Sequence, residues 1–327
     1  MNPRHVLLAI AVAAVWGVNF VVIEVGLEGI PPLFFSALRF ALAAVPAIFL
    51  LGPPRVAWRY VVGVGVVLGV AKFGLLFIGM DQGMPAGLSS LVLQSQVVFT
   101  LLLAIVFLGE RPRPLQLAGV AVACGGMILI AVDKGLGAPG SAFALVIAAG
   151  ACWGVSNLIT RHAKPKDTLR FMVWVSAVAA VPLFGLSLIF EQPAFGQITL
   201  TGAGAIAYLA GAATLFGFGA WGYLLRQYDA STVAPFSLLV PVVGMAAAWL
   251  LRGEAVSPLR AFAALLIVMG MAATVLRRNR PSGPGRASDV SSLSDPISWE
   301  LGREREAVAH GHQGEAEQVE PAPLRGV

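Results

Sequence analysis

The sequence predicts an all-α integral membrane protein: ten transmembrane helices in two inverted five-helix repeats. Three observations predict it. Only 12% of the 327 residues are charged and 57% are hydrophobic, against roughly 25% charged in soluble domains. The polar surface left could not coat a water-soluble chain of this length, and the mean hydropathy of +0.82 agrees. Apolar runs of about 20 residues recur, the length that crosses a bilayer core of about 30 Å. Finally, a set of motifs returns after a nearly constant interval.

On the bilayer ruler the helices fall at 6–25, 32–51, 60–80, 85–108 and 115–132, then at 141–160, 169–190, 201–225, 231–251 and 259–276. Arg4 precedes a run that continues unbroken to Val25, so the first segment is an uncleaved helix rather than a secretory leader. Breaks are marked chemically by Pro31-Pro32, Gly52-Pro53-Pro54, Pro112 and Pro114, Gly135 to Pro139, Pro165 and Pro258. From Pro281 onward apolar runs vanish, and 281–327 reads as a disordered tail that cannot offset its ordering entropy.

Basic residues set the orientation. One group of loops holds Arg4, Arg55, Arg59, Arg111, Arg113, Arg161, Lys164, Lys166, Arg170 and Arg226. The opposite loops hold Glu24, Glu28, Asp81, Lys134 and Glu191, and Arg252 and Arg260 run against the pattern. The positive-inside rule then puts both termini in the cytoplasm of a bacterial inner-membrane protein. The same distribution explains the net charge of +5 without nucleic acid.

The repeat rests on spacing. Glu110 and Glu254, Pro114 and Pro258, and Gly126 and Gly270 are each 144 residues apart. Trp16-Gly17-Val18-Asn19 and Trp153-Gly154-Val155-Ser156 are 137 apart. The division is 1–133, 134–280 and the tail 281–327. Five helices is an odd number, so the second copy enters the membrane from the opposite side, a construction that suits two-state carriers.

These motifs resemble the EamA family of the drug/metabolite transporter superfamily. The resemblance is carried by Trp16-Gly17-Val18-Asn19-Phe20, Leu38-Arg39-Phe40, Gly83-Met84-Pro85-Ala86-Gly87, Gly109-Glu110-Arg111 and the run from Pro235 to Gly244. It covers 1–276. The stretch from Trp16 to Gln96 is most similar to the family's exporters of O-acetylserine and cysteine. The family's proline in the fourth helix of a repeat is kept at Pro241 but replaced by Val97 in the first half, and Arg252 interrupts an apolar position before Gly253-Glu254. The resemblance implies a secondary carrier that exports small metabolites, amino acids of the cysteine pathway first.

Residue by residue, Lys72 is the sharpest candidate. It lies about eleven residues into the third helix, roughly 17 Å deep by helical rise, too deep to snorkel, with no acidic residue at the same depth. It faces either a pathway, where it attracts the carboxylate of an amino-acid-like substrate, or backbone carbonyls. Trp16, Asn19, Gln94, Gln96, Trp153, Asn157, Trp221 and Tyr223 join it as candidate pathway residues. Pro241 is expected to kink the ninth helix. Ser89, Gln96 and Thr100 share one stripe of the fourth helix, and Ser90 with Gln94 another. Glu24 and Arg39 are expected to form a structural ion pair, and Glu110 and Glu254 to anchor helix ends.

No cofactor or metal is expected. The partners are a small amino-acid-like solute, the lipid bilayer and, as an open alternative, a second copy in a homodimer. A membrane-embedded enzyme is the competing class, through His162 and Asp167 in His-x4-Asp spacing, but their loop offers no acceptor pocket. An assembly protein without transport activity is a third.

Overall fold

The computed structural model describes residues 1–132, 138–193 and 195–275. The loop around Gly137 and the tail 281–327 lie outside the described residues. Ten long helices account for the fold, and no strand occurs among the described residues. The first five are α1 (Pro3–Leu27), α2 (Pro32–Leu51), α3 (Trp58–Asp81), α4 (Ala86–Leu108) and α5 (Pro114–Val132). The second five are α6 (Gly140–Ala163), α7 (Thr168–Phe190), α8 (Leu200–Gln227), α9 (Ala234–Arg252) and α10 (Pro258–Val275). Among the described residues nine are long and apolar enough to cross a membrane, and α10 is a shorter apolar helix.

Local chemistry fixes the ends. Pro3, Pro32, Pro114 and Pro258 open their helices, where a missing N–H is no loss. Asn2 Oδ1 accepts from Arg4 N at 3.1 Å, Asp167 Oδ1 from Arg170 N at 3.0 Å and Thr199 Oγ1 from Gly202 N at 3.0 Å, capping α1, α7 and α8. α4 and α9 both end on left-handed glycines, Gly109 at φ +65° and Gly253 at φ +67°, 144 residues apart. A side chain there would be strained.

The helices pack in reciprocal pairs. α1 lies against α9 and α8, while α6 lies against α4 and α3. α2 packs on α7, and α5 on α10. Exchanging the first five helices for the second five maps this set of contacts onto itself. The correspondence holds for single residues. Gly17 of α1 abuts Val243 of α9, and Gly154 of α6 abuts Phe99 of α4; the glycines are 137 apart and their neighbours 144. Small residues let each pair approach closely.

The third helix of each half departs from α geometry at matching places. Gly65–Lys72 of α3 and Tyr208–Phe216 of α8 form wide π turns. Each ends in the same pattern, Lys72-Phe73-Gly74 and Leu215-Phe216-Gly217. Gly65 and Gly69 press α3 onto Val178 and Ala179 of α7. Such turns free backbone groups and recur at functional sites.

Pro241 corrects an expectation. A 3-10 stretch, Ala234–Leu238, precedes the α-helical part of α9, which starts at Leu239. The proline therefore sits in the first α-helical turn, where its ring and missing donor are tolerated, rather than kinking a helix interior.

Candidate functional site

Side chains from α2 and α3 meet around the Phe73 ring, and contacts from Trp153 of α6 and Thr214 of α8 tie them to the second half. Lys72 closes the π turn of α3 and is only 4% exposed. Its ammonium nitrogen stands 3.3 Å from the Phe73 ring centroid and 4.9 Å from that of Trp153 on α6. Arg39 of α2, 2% exposed, holds its guanidinium carbon 4.2 Å from the same Phe73 centroid and 4.6 Å from that of Phe40. The negative face of an aromatic ring attracts both cations. Among the described residues, no carboxylate forms an ion pair with either.

Arg39 donates from Nη2 to Thr214 Oγ1 at 3.2 Å, and its buried Nε and Nη1 have no hydrogen-bond partner. Thr214 sits inside the π turn of α8 and donates to Leu209 O at 2.8 Å. In the same turn Ala213 O accepts from Trp16 Nε1 at 2.9 Å. Trp16 also packs on Phe218 and Trp221, at centroid separations of 5.5 and 5.3 Å. The two π turns thus supply Lys72 on one side and the anchors of Arg39 and Trp16 on the other.

A second polar group ties α6 to α4. Asn157 Nδ2 donates to Gln96 Oε1 at 2.9 Å and lies 3.1 Å from Thr100 Oγ1. The Gln96 and Thr100 face therefore bonds a neighbouring helix. Ser90, on the other face, stands against Gly244 of α9. Asn19 is buried with an unpartnered Oδ1, and Gln94 is buried in a 3-10 turn, Leu93–Ser95.

Two expectations fail. Glu24 does not pair with Arg39: its Oε1 lies 3.3 Å from Arg252 Nε, and Arg252 Nη2 donates to Glu28 Oε1 at 2.5 Å. Arg39 lies too deep in the bundle to meet a carboxylate at the end of α1. Tyr223 stands apart from the pathway group. It is 38% exposed, and its hydroxyl lies 3.3 Å from His5 Nε2 near the amino terminus.

The helix-end carboxylates act as anchors. Both Glu254 oxygens accept from Gly87 N at 3.2 Å, capping α4. Burial pushes the Glu254 carboxyl above its ordinary 4.5, and the Glu24 charge adds to this against the Gly87 hydrogen bond. Glu110 instead accepts from Arg161 Nη2 at 2.6 Å. Glu191, beyond α7, accepts from Leu33 N and Phe34 N at 2.7 and 2.9 Å and caps α2. Asp167 serves as the cap of α7, and His162 Nδ1 lies 2.9 Å from Leu158 O, so the two form no acid–base pair.

Thr214, Phe73 and the π turns are the features sequence reasoning missed. The Gly65 and Gly69 spacing together with the paired Phe-Gly dipeptides was the available signal.

A family model described as the EamA-like transporter family matches residues 4–132 and again 140–276. The chain belongs to that family. The two matches divide this EamA-like chain where the reciprocal packing divides it. A relative from Escherichia coli (strain K12), called a probable amino-acid metabolite efflux pump, is 40% identical over 261 residues, covering 76% of this chain and 87% of its own. A probable terminal-alkyne amino-acid exporter from Streptantibioticus cattleyicolor is 28% identical, covering 72% and 81%. One solved crystal structure superposes with a TM-score of 0.60 at 20% identity, over 84% of this chain and 96% of that one, a likeness of fold alone.

Proposed function

We propose that this protein exports small amino-acid-like metabolites across the bacterial inner membrane by alternating access, with solutes of the cysteine pathway the first to test. The halves 1–133 and 134–280 rock against each other around the gap that holds Trp16, Asn19, Lys72 and Trp153. Both termini lie in the cytoplasm. The amino-acid efflux named for the relatives supports the solute class. The observation that carries the reading is Lys72, a buried ammonium that faces the Phe73 and Trp153 rings and, among the described residues, forms no ion pair. A purely structural bundle has little use for such a group.

Counterflow of labelled cysteine and O-acetylserine in proteoliposomes tests it. Exchange accelerated over protein-free vesicles is expected; a flat time course across a panel of amino acids would overturn it and favour an assembly role. Cysteine labelling near Gly137 from outside the cell, with the amino terminus protected, is the expected topology.

A further inference from the structure

Arg39 is the least explained group in the bundle. An arginine carries five N–H donors in a rigid fork and keeps its charge. Thr214 accepts from only one of its nitrogens, while Nε and Nη1 are buried and unpartnered. A second cation, Lys72, shares its Phe73 ring. Two like charges in a low-dielectric interior repel and are both desolvated, and an aromatic face offsets only part of that. A structural arginine at this depth would be paired with a carboxylate or bonded to carbonyls. This one has donors left over beside an ammonium, and no described acid forms an ion pair with either.

We infer that Arg39 and Lys72 together form a carboxylate-binding site at Phe73, so that a free carboxylate, and not an amine, is the obligatory feature of a transported solute. This rests on the transport reading for its role, but not for its existence. The missing acid is what decides between the two ends of an amino acid. An ammonium group would meet two positive charges here, whereas a carboxylate offsets both and fills the vacant donors of the guanidinium fork.

The binding test uses acetate as a minimal carboxylate and acetamide as its neutral isostere, at equal ionic strength, with thermal unfolding of the full chain in detergent as readout. Acetate should raise the melting temperature in a saturable way and acetamide should not. Arg39→Gln and Lys72→Met should each weaken the acetate midpoint by roughly ten- to a hundred-fold, the scale of one hydrogen bond to a charged group. Arg39→Lys, which keeps the charge, should retain part of the response. Equal effects of acetate and acetamide on the unaltered protein would overturn the inference, as would an unchanged acetate midpoint in Arg39→Gln. Should a variant fail to fold, the comparison on the unaltered protein still decides.

Counterflow separates this from the transport reading. Cysteine should compete for exchange and its methyl ester should not. Exchange in which the ester competes equally would end the carboxylate requirement while leaving transport intact. An acetate response without any amino-acid exchange would do the reverse.

Discussion

Gly119 of α5 and Gly270 of α10 lie back to back, so close that a Cβ on Gly119 would stand 2.5 Å from the Gly270 carbonyl oxygen. Gly126 meets Ala263 in the same way across the seam, and each of these residues has its counterpart 144 positions away. The seam where the fifth helices of both halves meet is therefore self-complementary.

Gly119→Val should force α5 and α10 apart, because the obstructing atom is backbone and cannot rotate away. The overpacking cost is about 1–3 kcal/mol, read as a lower midpoint of thermal unfolding in detergent. Gly125→Ala, whose Cβ would meet nothing within 4 Å, should leave the midpoint unchanged or raise it slightly through helix propensity.

Asn157→Ala should remove the bonds to Gln96 and Thr100 at a small cost in stability, about 0.6 kcal/mol for an average hydrogen bond between membrane helices. If Asn157 also lines the solute pathway, exchange in proteoliposomes should fall far more than this predicts. Equal, slight losses in both assays would confine the residue to packing α6 on α4.

Glu254 makes stability depend on pH. Its carboxyl is raised in the folded protein by burial, so the folded state holds the proton more tightly than the unfolded chain does. The resulting stabilisation is full below the ordinary value of 4.5 and is lost as pH rises through the raised one. Relative to Glu254→Gln, the unaltered protein should therefore lose melting temperature across that window and run parallel above it. Parallel curves throughout would mean that Glu254 titrates normally.

Arg252 bridges Glu24 and Glu28 from the end of α9 to the end of α1. All three are partly exposed, so a double-mutant cycle between Arg252→Gln and Glu28→Gln should return a coupling of about 0.2–1 kcal/mol that shrinks in high salt. A coupling insensitive to salt would mean the pair is more enclosed than its exposure shows.

The helices were legible because hydropathy and proline report on backbone and solvent directly. The runs read at 32–51 and 85–108 became Pro32–Leu51 and Ala86–Leu108. Lateral neighbours were another matter. Glu24 and Arg39 both lie toward the same membrane face by sequence, yet Glu24 turns to Arg252, a residue 228 positions away that only the packing of α1 on α9 brings near. Tyr223 does fall within a span, but it lies near the end of α8 at Gln227, with its hydroxyl beside His5 rather than in the bundle interior. The π turns were invisible because widening a helix by one residue per turn leaves an apolar pattern almost unchanged. Lys72 stood out in the sequence because charge at depth is rare, and the structure buries it. Arg39 was misjudged because its partner was sought among acids and its free donors could only be seen in three dimensions.

The two interior cations also bear on how the chain is made. On insertion scales a lysine or arginine at the centre of a spanning segment is penalised by about 2.5–3.5 kcal/mol, and α2 and α3 each carry one. Their flanks compensate, with mean hydropathies of 2.1 and 2.4 over the spanning windows, supplied in α2 by Leu33, Phe34, Phe35, Phe40 and the leucines and alanines that follow. The density of phenylalanine around Phe73 therefore has two duties. It cradles the charges in the finished bundle, and its hydropathy offsets their cost when the spans partition into the bilayer.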